Sequence, residues 1–163
     1  PPTSADEAAA PSESLARFST YGIGGPGTVV MPASAEDVGI ATRMAHEAGM
    51  PWFALGLGSN ILLPDEGLDA LVVRLGKGMD RLDREGDRWV IGAGLPAPLA
   101  ARRTAAAGYA GLHIFVGVPG SVGGGVYMNA PVRSVRLVNV VTAQVMAILS
   151  QLAIVIGIVI VGA

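Results

Sequence analysis

The chain has no cysteine among its 163 residues. Disulfide frameworks, thiolate nucleophiles and cysteine-ligated metals are therefore excluded; a reducing compartment is permitted, and the cytoplasm is the expected location. Concentrated positive charge is also missing. The 11 Lys and Arg residues are scattered from Arg17 to Arg136, the formal net charge is -2, and no cluster tracks a phosphate backbone, so no nucleic acid partner is expected. The two histidines, His46 and His113, have no second histidine or carboxylate at ligand spacing. Zinc-type sites need three or four convergent ligands, so both are read as structural and no metal is expected. No internal repeat occurs, which sets aside solenoids and propellers.

What the chain does have is glycine: 23 residues, with 11 prolines, gathered at Gly22 to Gly25, Gly56 to Gly58, Gly92 to Gly94 and Gly117 to Gly125. Clusters of this kind mark special loops rather than a low-complexity tract. Pro1 to Ser14 mix Pro, Ala, Ser and acidic groups without an apolar run, the composition of a disordered arm and not of a signal peptide. Beyond the arm, Thr28 to Met31 reads as a strand stopped by Pro32. Ser34 with Asp37 three residues on opens a helix whose apolar face is Val38, Ala41, Ala45 and Ala48, ended by Gly49 and Pro51.

Trp52 to Leu55 reads as the next strand, which gives a βαβ-like opening. Ala70 to Leu75 reads as another. Met79 to Leu82 and Arg88 to Ile91 read as a hairpin turning through Asp83 to Asp87, and Pro98 to Ala107 as a second helix capped by Gly108. Trp52 and Trp89 are expected in or beside strands as core, and Asp65-Glu66 as a solvated turn.

Two loops suit anions. In Gly56-Leu57-Gly58-Ser59-Asn60 the glycines remove side chains that would block the backbone, and successive N–H groups can converge on one anion, with Ser59 and Asn60 adding side-chain donors. An ordinary tight turn after a strand is the other reading. The loop is no Rossmann fingerprint, since Ile61 stands where the third glycine is needed, and no Gly-Lys-Ser/Thr occurs. In Gly117-Val118-Pro119-Gly120-Ser121-Val122-Gly123-Gly124-Gly125, Ser121 can cap a short helix whose N–H groups and dipole favour a phosphate. Tyr21-Gly22-Ile23-Gly24-Gly25 and Gly92-Ala93-Gly94 are further places of close backbone approach, or simple turn glycines.

Four motifs in order, Thr20-Tyr21-Gly22-Ile23-Gly24-Gly25, Gly56 to Asn60, Gly92-Ala93-Gly94, and Gly117 to Ala130 ending in Met128-Asn129-Ala130, give a sequence that resembles the UDP-N-acetylenolpyruvoylglucosamine reductases, the MurB family. The resemblance covers about Phe18 to Ala130. It implies an α+β fold of the FAD-binding PCMH or vanillyl-alcohol-oxidase type, two small α+β subdomains with the flavin between them, over residues 15–130.

The cofactor-binding residues it implies are Tyr21, Gly22, Ile23 and Gly24; Gly56, Leu57, Gly58, Ser59 and Asn60; Gly92, Ala93 and Gly94; and Val118, Pro119, Gly120, Ser121, Gly123 and Gly124. It also implies a reaction in which NADPH, as co-substrate, reduces FAD, and the flavin reduces the UDP-sugar substrate UDP-N-acetylglucosamine enolpyruvate to UDP-N-acetylmuramate for peptidoglycan.

The pattern departs after Asn129-Ala130. Where the family continues Gly-Ala-Tyr-Gly, this chain has Pro131-Val132-Arg133-Ser134-Val135. The family's catalytic arginine, its proton-donating serine and a glutamate have no matching positions here, and no catalytic residue is carried over. From Leu137 to Ala163 no ionisable residue occurs, so acid–base work cannot come from that segment. Residues 131–163 are expected as an apolar tail. Its length suits a bilayer span preceded by Arg133 and Arg136, while its Val and Ile content and its Asn139, Gln144, Ser150 and Gln151 suit buried strands. The functional expectation is an FAD-binding part that is incomplete for catalysis; the alternatives are a non-catalytic nucleotide-binding module and a membrane-tethered fragment.

Overall fold

The computed structural model describes residues 12–132, 135–136 and 158–162. Strands β1 (Ser12–Ser14), β2 (Pro26–Val30), β3 (Trp52–Leu55) and β4 (Leu68–Arg74) form one sheet in the order β1-β2-β4-β3. β1 is antiparallel to β2, whereas β2 and β3 both run parallel to β4. Parallel strands need a crossover, and helix α1 (Ala35–Glu47) carries the chain from β2 past the place of β4 to β3. Its start is fixed by a reciprocal cap. Ser34 Oγ accepts from the Asp37 N–H at 3.1 Å, and Asp37 Oδ2 accepts from the Ala33 N–H at 3.1 Å. Its end is fixed by Gly49 at φ 66°, a left-handed conformation that glycine adopts without strain.

Side chains alternate along β4, and the two faces bury different partners. Leu71 and Val73 pack with Val38 and Ala45 of α1, while Val72 packs with Leu15, Leu55 and Leu63 on the opposite face. A strand covered on both sides reads as the nearly unbroken apolar run that β4 has.

The second lobe is built on the hairpin of β5 (Leu82–Glu85) and β6 (Arg88–Gly92), with β9 (Ile158–Gly162) antiparallel on the other side of β6. Helix α2 (Ala97–Ala106), a 3-10 turn (His113–Gly117) and the short helix α3 (Val122–Tyr127) close over this sheet. Their shared core holds Trp89, Ile91, Leu95, Ala100, Ala101, Phe115, Val122 and Val126. The alanines let α2 approach closely, and Phe115 fills the space that remains. Thr104 is fully buried yet satisfied, its hydroxyl donating to the Ala100 carbonyl at 2.9 Å. The pair β7 (Pro131–Val132) and β8 (Val135–Arg136) follows α3.

Two small α+β lobes are thus present as expected, with several local differences. The arm read over residues 1–14 lies outside the described residues up to residue 11. Ser12–Ser14 pairs with β2 instead, since an open strand edge accepts any backbone that can present its N–H and C=O groups. The hairpin turn is tighter than the charged run suggested. Glu85 faces Arg88 across a two-residue turn in which Gly86 takes φ 64°, so Asp83 to Glu85 belong to the strand. Trp89 is core, but Trp52 is not: it stands at the start of edge strand β3 and is 37% exposed. Of the apolar tail, residues 133–134, 137–157 and 163 lie outside the described residues. Among those described, no helix is long and apolar enough to cross a membrane.

Candidate functional site

A cleft of about 860 Å³ runs where the two lobes meet. The first lobe contributes β3 and the loop that leaves it, Gly56 to Asn60, together with Leu75 just beyond β4. The second contributes Ala97, Phe115, the segment from Val118 to Ser121, and Gly123 to Gly125 with Tyr127 and Met128 at the far end. The first-lobe loops lie beyond the carboxyl ends of parallel strands, the usual position for a ligand on such a sheet. Leu75 N–H donates to the Leu55 carbonyl at 2.9 Å, which holds these two strand ends together.

The two glycine loops touch each other. A Cβ on Gly56 would fall on Ser121 Oγ, and one on Gly120 would come within 2.9 Å of Ser59 Oγ. Gly58 is required twice over: its φ is 66°, and a side chain there would overlap the Phe18 carbonyl. Its own carbonyl accepts from both Thr20 N–H, at 3.0 Å, and Thr20 Oγ1, at 3.2 Å, so the Thr20 segment braces the loop from behind.

Among the described residues, none of the five amides from Gly56 to Asn60 donates to a protein acceptor, and the amides of Gly120 and Ser121 do not either. A run of free N–H groups beside a cleft attracts an anion through oriented dipoles. The start of α3 behaves differently from the sequence-based expectation. Ser121 does cap it, accepting from Gly124 N–H at 3.2 Å, but the amides meant for a phosphate are committed. Val122 N–H donates to Leu95 O at 2.8 Å, Gly123 N–H to Ala93 O at 2.9 Å, and Gly125 N–H to Ser121 O at 2.9 Å. These bonds dock α3 onto the chain leaving β6, and the available donors lie one step earlier.

Of the residues singled out in the sequence, Gly56, Leu57, Gly58, Ser59, Asn60, Val118, Pro119, Gly120, Ser121, Gly123 and Gly124 all line this cleft. The other two groups do not. Tyr21 and Ile23 are 58% and 42% exposed, Gly22 has open space around it, and Gly24 packs against Leu63 and Leu15. Gly92, Ala93 and Gly94 sit behind the cleft wall. A Cβ on Gly92 would overlap the Met79 carbonyl, one on Gly94 would lie 2.9 Å from Gly76 O, and Ala93 is buried against Gly123. In this fold those glycines let backbones approach each other.

Sequence reasoning missed the apolar walls. Trp52, Phe53, Phe115, Tyr127 and Met128 line the cleft, and Tyr127 and Met128 are 70% and 55% exposed. Tyr127 and Met128 following the glycine loop within three positions were the available signal.

Among the described residues, the lining carries no Asp, Glu, Lys, Arg or His. Arg74, held below the usual arginine range by burial, and Tyr109, held above the usual tyrosine range by burial, are not part of it. Among the described residues no three or more His, Asp or Glu side chains converge on a metal-sized site. Among the described residues, the arrangement offers free N–H groups to an anionic centre and apolar walls to flat groups, with the Tyr127 phenol as its one ionisable side chain.

Comparison with known proteins agrees with this geometry. The FAD binding domain family matches residues 26–148, beyond Ala130 and into the apolar segment. UDP-N-acetylenolpyruvoylglucosamine reductase of Caulobacter vibrioides is 42% identical over 131 residues, covering 79% of this chain and 43% of the relative. That of Halalkalibacterium halodurans is 39% identical over 132 residues, 80% of this chain and 44% of its own length. The crystal structure of UDP-N-acetylenolpyruvylglucosamine reductase from Thermus caldophilus superposes with a TM-score of 0.70 at 33% identity, over 82% of this chain and 47% of that one. The chain spans less than half the length of these relatives. It belongs to the FAD binding domain family and is, over that domain, a homologue of the MurB-like UDP-N-acetylenolpyruvoylglucosamine reductases.

Proposed function

We propose that this chain holds FAD in the cleft and serves as the flavin-holding part of a cytoplasmic reductase. That enzyme uses NADPH to convert UDP-N-acetylglucosamine enolpyruvate to UDP-N-acetylmuramate. The observation that carries the reading is the row of free amides from Gly56 to Asn60, faced by those of Gly120 and Ser121, at the wall of a long apolar cleft. The diphosphate would lie against these amides, with the ring systems along the apolar walls. The volume suits a large ligand, since pockets for small molecules run from about 300 to 1,000 Å³. Residues 15–130 form the flavin-holding unit in this reading. Its contacts are the cleft-lining residues named above, while the Tyr21 to Gly24 and Gly92 to Gly94 segments support them from outside the lining.

Bound FAD would supply the hydride chemistry. The residues of this chain bind, orient and exclude water. The test is an absorbance spectrum of the purified chain after incubation with FAD and removal of free cofactor. A retained, perturbed flavin band is expected, and Leu57→Glu, which sets a carboxylate among the free amides at a half-buried position, should weaken retention at least tenfold with the fold intact by circular dichroism. Folded wild-type protein that retains no flavin would overturn the reading. Retention of ADP but not FAD would replace it with a nucleotide-binding module.

A further inference from the structure

β3 is an edge strand, with β4 as its one strand neighbour among the described residues. In this parallel pair the Leu71 N–H donates to Pro51 O at 2.8 Å and the Leu75 N–H to Leu55 O at 2.9 Å. Successive residues of a strand send their N–H and C=O groups to opposite sides. Pro51, Phe53 and Leu55 therefore serve the ladder, and Trp52 and Ala54 turn their backbone groups to the outer edge.

That edge faces the cleft. Trp52 and Ala54, in register with Leu71 and Val73, stand on the α1 face of the sheet, and Phe53 and Leu55 stand on the other. All four line the cleft. A cleft that meets both faces of a strand runs along its edge. Trp52 is exposed and Ala54 is half-buried, so this stretch of backbone is within reach of a ligand.

We infer that the outer edge of β3 reads the adenine ring of the ligand. There the Trp52 carbonyl and the Ala54 N–H stand side by side, an acceptor next to a donor. Adenine presents the complement, an amino donor next to a ring-nitrogen acceptor. The inference rests on the reading that the cleft takes FAD, and position selects between its two rings. The strand runs straight into the amide row that begins at Gly56, with Ala54 about 7 Å and Trp52 about 13 Å before it at about 3.3 Å per residue. Adenine is the ring nearer the diphosphate, one ribose away, whereas the longer ribityl chain holds the flavin ring farther off.

The experiment follows amide hydrogen exchange by NMR in the chain alone and with saturating FAD, ADP or riboflavin, and measures retention of each ligand on the same samples. Without ligand, the ladder should protect the Phe53 and Leu55 amides, while that of Ala54 exchanges fast. FAD and ADP should each slow Ala54 at least tenfold, and riboflavin should not. Ala54→Pro removes the edge donor and spares the ladder, since proline is tolerated where a strand's N–H faces outward. It should unfold in urea near the wild-type midpoint and bind FAD and ADP about tenfold more weakly, the loss of one hydrogen bond. An Ala54 amide already protected without ligand would overturn the inference, because the chain itself then covers the edge. So would an Ala54 amide that bound FAD or ADP leaves fast, one that riboflavin protects, or full ADP affinity in folded Ala54→Pro. If the proline variant does not fold, the exchange rates decide alone. Wild type that retains neither FAD nor ADP would overturn the proposed function, and the inference with it.

Discussion

The α-carbon of Gly56 stands directly against the hydroxyl of Ser121, and nothing larger than hydrogen fits between them. Each belongs to a different lobe, so the contact sets how far apart the two cleft walls lie. Gly56→Ala should force them apart and destabilise the fold by about 1–3 kcal/mol, the usual range for overpacking. Ser121→Gly removes the obstructing hydroxyl at the expense of a few tenths of a kcal/mol of helix cap. The double variant is therefore expected to be more stable than Gly56→Ala alone, a coupling that a urea double-mutant cycle measures directly.

Helix α1 depends on the Ser34 cap. Ser34→Ala leaves the Asp37 amide without its acceptor and should lower stability by about 0.5–2 kcal/mol, read as a shift of the unfolding midpoint at constant slope. Ser34→Asp should recover most of the loss.

Tyr109 gives an alkaline limit. Burial favours its neutral form and raises its pKa in the folded state. The unfolded chain ionises this group first, at about pH 10. Its stabilisation is fully present below that pH and is lost as pH rises through the folded pKa. Tyr109→Phe should therefore lose less stability than wild type between about pH 8 and about pH 11; parallel urea titrations at the two pH values decide this.

Turnover should be absent from this chain even when flavin is bound. Among the described residues, no carboxylate, histidine, lysine or arginine lines the cleft, and residues from Leu137 onward carry no ionisable side chain. Stopped-flow mixing of the FAD-loaded chain with NADPH and the enolpyruvyl substrate is expected to give no product; steady-state product formation would reassign the catalytic groups to residues present here.

Much of this was legible in the sequence because it is local. The Ser34–Asp37 cap, the left-handed glycines after α1 and α2, and the glycine loop after β3 depend on neighbours within a few positions. The four glycine clusters were also recognisable as places of close approach. What they approach was not legible, because the partners are distant in sequence: Met79 for Gly92, Phe18 for Gly58, Ala93 for Gly123. The sequence around Ser121 points to free amides at the start of α3, whereas those of Val122 and Gly123 are consumed by carbonyls about thirty positions away and the free ones lie one step earlier. The apolar run Trp52 to Leu55 points to a core position for Trp52, whereas the order β1-β2-β4-β3 leaves that strand at an edge.

A wall whose described residues attract negative charge through backbone N–H groups, with no positive side chain among them, has no proton to lose in the physiological range. Peptide N–H groups neither titrate nor gather a counterion cloud, unlike lysine or arginine clamps. Ligand retention in such a cleft is set by backbone shape, so it is insensitive to moderate changes of pH and salt and tolerant of most side-chain replacement. It fails abruptly where a glycine that permits the shape is lost.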